Sequence, residues 1–217
     1  MPSTVRPEFG PTLPAIVGPK WHAMGRAPRA AIIVAGLFVV AVAAFLLTGG
    51  ASPLRTVEVA APVPFHLEYN PSSLQQLVAV RPQSLRLASP NRVQLGQTVT
   101  VQPLHLAPYS GSIGGVLPLT AARLTQEMSR ADRSFAVRTE GSVVLNDQPG
   151  YEITFQTAVR GMVVFGRRVL LFPAQPGARA GIDVLMTAFQ GPAAPIPNSV
   201  GERAPLRDVY QSLSVGG

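Results

Sequence analysis

The longest apolar run in the chain, residues 30–47 (AAIIVAGLFVVAVAAFLL), holds eighteen residues without a charge or a strong polar group, bounded by Arg29 and by Thr48-Gly49-Gly50. As a helix rising ~1.5 Å per residue it covers roughly 27 Å, which with its flanks matches a bilayer core of about 30 Å. A buried core helix would carry a polar stripe or stop after about 10–14 residues, so a transmembrane helix is predicted over residues 29–48. Arg6, Lys20, Arg26 and Arg29 precede it, whereas only Arg55 follows before Pro64. Basic residues are retained on the cytoplasmic side, which predicts a single-pass protein of the plasma membrane with its N-terminus cytoplasmic and the rest extracytoplasmic. The rival, a cleaved signal peptide, has an apolar region of about 7–15 residues, shorter than this one.

Beyond residue 50 the pattern changes period. Residues 49–63 read as a linker that can end in a strand, and Phe65-His66-Leu67-Glu68-Tyr69 alternates before breaking at Asn70-Pro71. Residues 74–80, 84–88 and 92–106 read as further strands, with Gly96 a turn or bulge. Ala121, Leu124, Met128 and Ala131 then recur at helical spacing, predicting one amphipathic helix over 119–133 after a loop, YSGSIGG. Strands follow at 142–145 and, after a turn at 146–150, at 151–159; Arg160-Gly161 turns the chain into 162–172, and 182–189 adds another. Leu206, Val209, Tyr210 and Leu213 close the pattern as a short helix. The expected architecture is α+β: a mostly antiparallel sheet covered by a mid-domain and a C-terminal helix, occupying residues 64–217.

Composition adds little to that picture but supports its two halves. Only 13% of residues are charged, about half the ~25% of a soluble domain, as expected of a chain partly in lipid. Prolines at 2, 7, 11, 14, 19 and 28 defeat helix and sheet alike, so residues 1–28 are expected to be a disordered cytoplasmic tail. At its end Lys20, Trp21, Arg26 and Arg29 have the makeup of a membrane-interface anchor, the indole favouring the headgroup layer. Cysteine is absent, which excludes disulfides, thiolate chemistry and lipid attachment to a cysteine. Of the 18 basic residues Lys20 alone is a lysine, and the net charge is +7.

The order of elements, and particularly LNDQPGYEITFQTAVRGMVVFGRRVLLFP followed by a strand and a closing helix ending in SLSV, resembles the PsbP-like and DcrB-like domains of bacterial envelope proteins, including actinobacterial LpqN-type lipoproteins. The resemblance covers roughly residues 63–215 and implies an α/β sandwich serving as an accessory or binding module rather than an enzyme. It brings no shared active-site motif, and this chain departs from the lipoproteins in having no lipid-bearing cysteine.

The search for chemistry agrees with that expectation. His66 and His105 lie in strand-like segments without a second ligand at metal spacing, so no metal or cofactor is predicted. Ser110-Gly111-Ser112-Ile113-Gly114-Gly115 matches neither a nucleophile elbow nor a phosphate loop, and a serine hydrolase using Ser112 with His105 is the weakest reading. Glu152 and Asp183 fall on different strands and would form a carboxylate pair if these brought them face to face, but the plainer reading is two solvent-facing sheet residues. Arg160, Arg167, Arg168 and Arg179 crowd the second hairpin and the loop after it, a candidate surface for anionic headgroups, a cell-wall polymer or an envelope protein; the plainer reading is a charged sheet edge. Aromatic residues that would stack nucleic-acid bases do not accompany it. An alternative function, carriage of a small apolar or acidic ligand, requires a pocket between the sheet and the helix at 119–133.

Overall fold

The computed structural model describes residues 25, 35, 37–39, 53–90 and 96–216. The chain divides into two units, Met1–Ala51 and Ser52–Gly217. In the first, residues 35 and 37–39 are helical; the rest of the predicted span at 30–47 lies outside the described residues. Among the described residues no helix is long and apolar enough to cross a membrane.

Among the described residues the second unit holds ten strands in two antiparallel sheets. The smaller joins β1 (Arg55–Val59), β2 (Phe65–Tyr69) and β10 (Ser214–Val215) in the order β1-β2-β10. The larger runs β3-β4-β5-β9-β8-β7-β6, from β3 (Gln75–Leu77), β4 (Leu85–Ala88) and β5 (Thr98–His105) to β6 (Ala136–Leu145), β7 (Gln148–Val159), β8 (Met162–Leu171) and β9 (Ala180–Phe189). The second sheet could not be read from the pattern because the partner of β2 is β10, far along the chain, with Ser214 opposite His66.

Two tight turns set the register of the β6-β7-β8 meander. Arg160 and Gly161 have φ of 52° and 79°, and Asn146 and Asp147 have φ of 48° and 62°. Both are two-residue loops with both residues left-handed, the geometry whose twist matches that of paired strands. The turn expected over 146–150 is therefore shorter, and Pro149-Gly150 belongs to β7. Pro149 is tolerated because its backbone faces away from β6, its carbonyl accepting the Phe172 N–H at 3.1 Å. Gly150 is required where it stands, since a Cβ there would lie 2.8 Å from the Leu170 carbonyl oxygen.

Each face of the large sheet has its own cover. Along β8 the odd residues Phe165, Val169 and Leu171 join the larger core, which the small sheet and α2 (Leu206–Ser212) close with Phe65, Leu67, Val209 and Val215. The even residue Leu170 faces the other side, where α1 (Ile113–Ala131) packs Leu117, Ala121 and Leu124 on Tyr151, Ile153 and Phe172. The helix thus starts six residues before the predicted Leu119, through Pro118, because Leu117 extends the Ala121/Leu124 face by one turn and is fully buried. Met128 is only partly buried and Ala131 is exposed, so the apolar face ends earlier than its spacing predicts. At the far end Asp132 accepts bonds from the Ser134 hydroxyl and amide and from the Thr157 hydroxyl, which clip the helix end to β7 and hold its carboxyl below the ordinary value.

Candidate functional site

β8 carries adjacent arginines to opposite faces, and each organises a polar cluster. Under α1, Arg168 grips Asp183 of β9 with both forks of its guanidinium: Nε donates to Oδ1 at 2.8 Å and Nη2 donates to Oδ2. Gln102 of β5 donates to the same Oδ2 at 2.7 Å, and the Met128 sulfur of α1 lies 3.2 Å from Nη1. The Asp183 side chain is 2% exposed, so this is a closed bidentate pair in a low-dielectric site.

On the other face Arg167, 4% exposed, is shared among more partners. Its Nη1 donates to Glu152 Oε2 at 3.3 Å, while Nη2 donates to Glu202 Oε1 at 3.0 Å and to the Asn198 carbonyl at 2.5 Å. Its guanidinium lies 4.7 Å from the ring centroid of Tyr210 of α2, whose hydroxyl donates to Glu152 Oε2 at 2.9 Å. Burial, then the charge of Glu152 and the bond to it, push the Tyr210 phenol up to about 12. Asn198 lies in the 3₁₀ turn Pro197–Ser199, and its side-chain oxygen accepts from Thr154 at 3.0 Å. The cluster ties the segment before α2, and α2 itself, to the sheet.

The four cations expected to form one surface do not come together. Arg167 and Arg168 are buried back to back by the pleat, and neither is available as a solvated edge charge. Arg160 and Arg179 are exposed, one in the β7-β8 turn and the other just before β9, at opposite ends of strands about 30 Å long. Glu152 and Asp183 also sit on opposite faces, each claimed by an arginine, so they form no carboxylate pair. His66 is exposed opposite Glu58 and Ser214, His105 is exposed at the end of β5, and neither bonds Ser112 at the start of α1. Among the described residues no three His, Cys, Asp or Glu could hold a metal ion. Lys20, Trp21, Arg26 and Arg29 lie outside the described residues.

The space required by a ligand carrier is filled at the helix–sheet contact by the small core of α1. Beside that contact an open depression of about 620 Å³ separates α1 from the edge strand β6, lined by Ala122, Arg123, Thr125, Gln126, Val137 and Glu140. The Thr125 hydroxyl is buried there without a hydrogen-bond partner. Gln102, Asn198, Glu202, Tyr210 and Thr125 are the polar residues that sequence reasoning missed. A parity count along β8 would have separated Arg167 from Arg168, but their partners come from distant segments that no local pattern links to them.

No family model matches the chain, and no curated protein matches it. Among solved structures it is similar to LpqN of Mycobacterium tuberculosis, described as involved in cell envelope biogenesis, at TM-score 0.52 and 8% identity over 76% of this chain and 92% of that one. It is likewise similar to cyanobacterial PsbP (CyanoP) of Synechocystis sp. PCC 6803, at TM-score 0.53 and 10% identity over 77% of this chain and 95% of that one. The domain has a PsbP-like fold. At these identities the likeness speaks of fold alone.

Proposed function

We propose that this chain is a single-pass protein of the plasma membrane, anchored through residues 30–47 with its N-terminus in the cytoplasm, whose PsbP-like domain serves the cell envelope as a non-catalytic accessory or binding module. The observation that carries the non-catalytic reading is the engagement of the three buried charges: Arg168 pairs with Asp183, and Arg167 pairs with half-buried Glu152 and exposed Glu202. Groups held this way clamp helices to a sheet, and their charges are spent on one another rather than offered to a substrate. The likeness in fold to LpqN, described as involved in cell envelope biogenesis, supports the compartment, and the apolar run with its flanking cations supports the topology.

The test places single cysteines, Ser3→Cys and Ser129→Cys, in this cysteine-free chain and labels intact cells with a membrane-impermeant maleimide. Labelling at 129 and not at 3 is the expected result. Labelling at 3 and not at 129 inverts the topology and removes the envelope from the proposal.

A further inference from the structure

The large sheet ends on one side in the three residues of β3 but on the other in the ten of β6, which among the described residues pairs only with β7. In a two-residue hairpin the residues flanking the turn, Leu145 and Gln148, form a bonded pair, so odd residues 141–145 bond to β7. The amides and carbonyls of Glu140, Ser142 and Val144 therefore face outward. Edges of this length invite another strand and are usually blunted by charge or a bulge. Here a bulge at Arg138 interrupts only the first part, leaving Thr139 to Leu145 regular.

This half of the edge is complementary to itself. Laid antiparallel on its own copy with Ser142 opposite Ser142, it sets Glu140 opposite Val144 twice, and all three outward residues of each copy become bonded pairs with no like charges facing. A register centred on Glu140 would oppose two carboxylates, and one centred on Val144 would run into the Asn146-Asp147 turn. Val144 is 70% exposed, and Leu119, which shares a helical face with Ala122 and Gln126, is 73% exposed. A two-fold axis perpendicular to the sheet keeps both α1 helices on one side, so the depression of each copy, which Val137 and Glu140 help to line, opens on the same face of the joined sheet.

We propose that β6 is a self-association edge: two copies pair β6 to β6 about Ser142 and form one continuous sheet. The inference concerns the domain alone and does not depend on the membrane anchor.

The full-length chain is tested in unfractionated lysates of expressing cells by mild oxidation of Ser142→Cys, with exposed Ser112→Cys as the control. Opposed strand residues lie within disulfide reach, so the 142 variant should give a covalent dimer and the control should not. Adding Val144→Asp places a carboxylate opposite Glu140 in both halves and should lower dimer yield roughly fivefold to tenfold; adding Glu140→Arg as well should restore it. A Ser142→Cys variant that stays monomeric, whether or not maleimide captures its thiol, overturns the proposal. A dimer indifferent to the charge swaps overturns it too.

Discussion

Arg167 and Arg168 are consecutive in the chain, yet they hold the fold together in different ways. Arg168 is bound by one partner, bidentately, in a site that Gln102 and Met128 complete. Arg167 divides its donors among Glu152, Glu202 and a backbone carbonyl and lies against an aromatic ring, with Glu202 58% exposed at the rim. A closed pair has no substitute when one member is lost, whereas a shared one has several. Removing a partner separates the two cases.

The largest effect is expected at Asp183. Asp183→Ala leaves the Arg168 guanidinium buried without a counter-charge and should cost about 3–5 kcal/mol in urea unfolding. The paired replacement Arg168→Met with Asp183→Leu should recover most of that loss, because well-packed apolar residues commonly equal a buried ion pair. If Asp183→Ala costs no more than a typical surface substitution, the two clusters are equivalent and the contrast fails.

The contrast also marks what the sequence could convey. Period-2 alternation located the β7-β8 hairpin, and the dipeptide Arg160-Gly161 its turn, because both signals are local. The C-terminal helix was legible for the same reason, its Leu206 and Val209 being buried at helical spacing. β6 was read too short because an edge strand with its α1 side open buries few residues and so shows little alternation. The start of α1 was missed because Ser-Gly-Ser and Pro118 look like loop chemistry, while the burial of Leu117 outweighs them. The polar clusters were illegible for a different reason: Glu202 and Tyr210 reach Arg167, and Gln102 reaches Asp183, from segments far apart along the chain. Only the strand order brings them together.

A smaller, pH-dependent effect probes the shared cluster. Tyr210→Phe removes the hydroxyl bond to Glu152 but keeps the ring under Arg167, and should cost about 1 kcal/mol near neutral pH. The folded-state phenol is raised from 10.0 to about 12, so the folded state holds its proton longer than the unfolded state does. That contribution is fully present below pH 10 and is lost as pH rises towards 12, so the advantage over Tyr210→Phe should shrink across that window. Tyr151, also raised by burial and by Glu140, is present in both proteins and cancels in the difference. A gap that stays constant from about pH 8 to about pH 12 would mean that neither burial nor Glu152 raises the Tyr210 phenol.

The smallest effects are expected where the candidate basic surface was dispersed. Arg160 projects from a two-residue turn and forms no ion pair among the described residues, and Arg179 donates to the Leu106 carbonyl at 3.4 Å. Arg160→Ala and Arg179→Ala should each change unfolding free energy by less than about 0.5 kcal/mol. Because the two side chains sit at opposite ends of the strands, their effects should add. Vesicles of anionic lipid sharpen the point: a single basic surface would lose binding cooperatively in the double substitution, whereas two isolated charges would each remove about 1 kcal/mol at most. Cooperative loss would mean that the ends of the sheet approach a common surface, restoring through a partner the continuity that the pleat removes from Arg167 and Arg168.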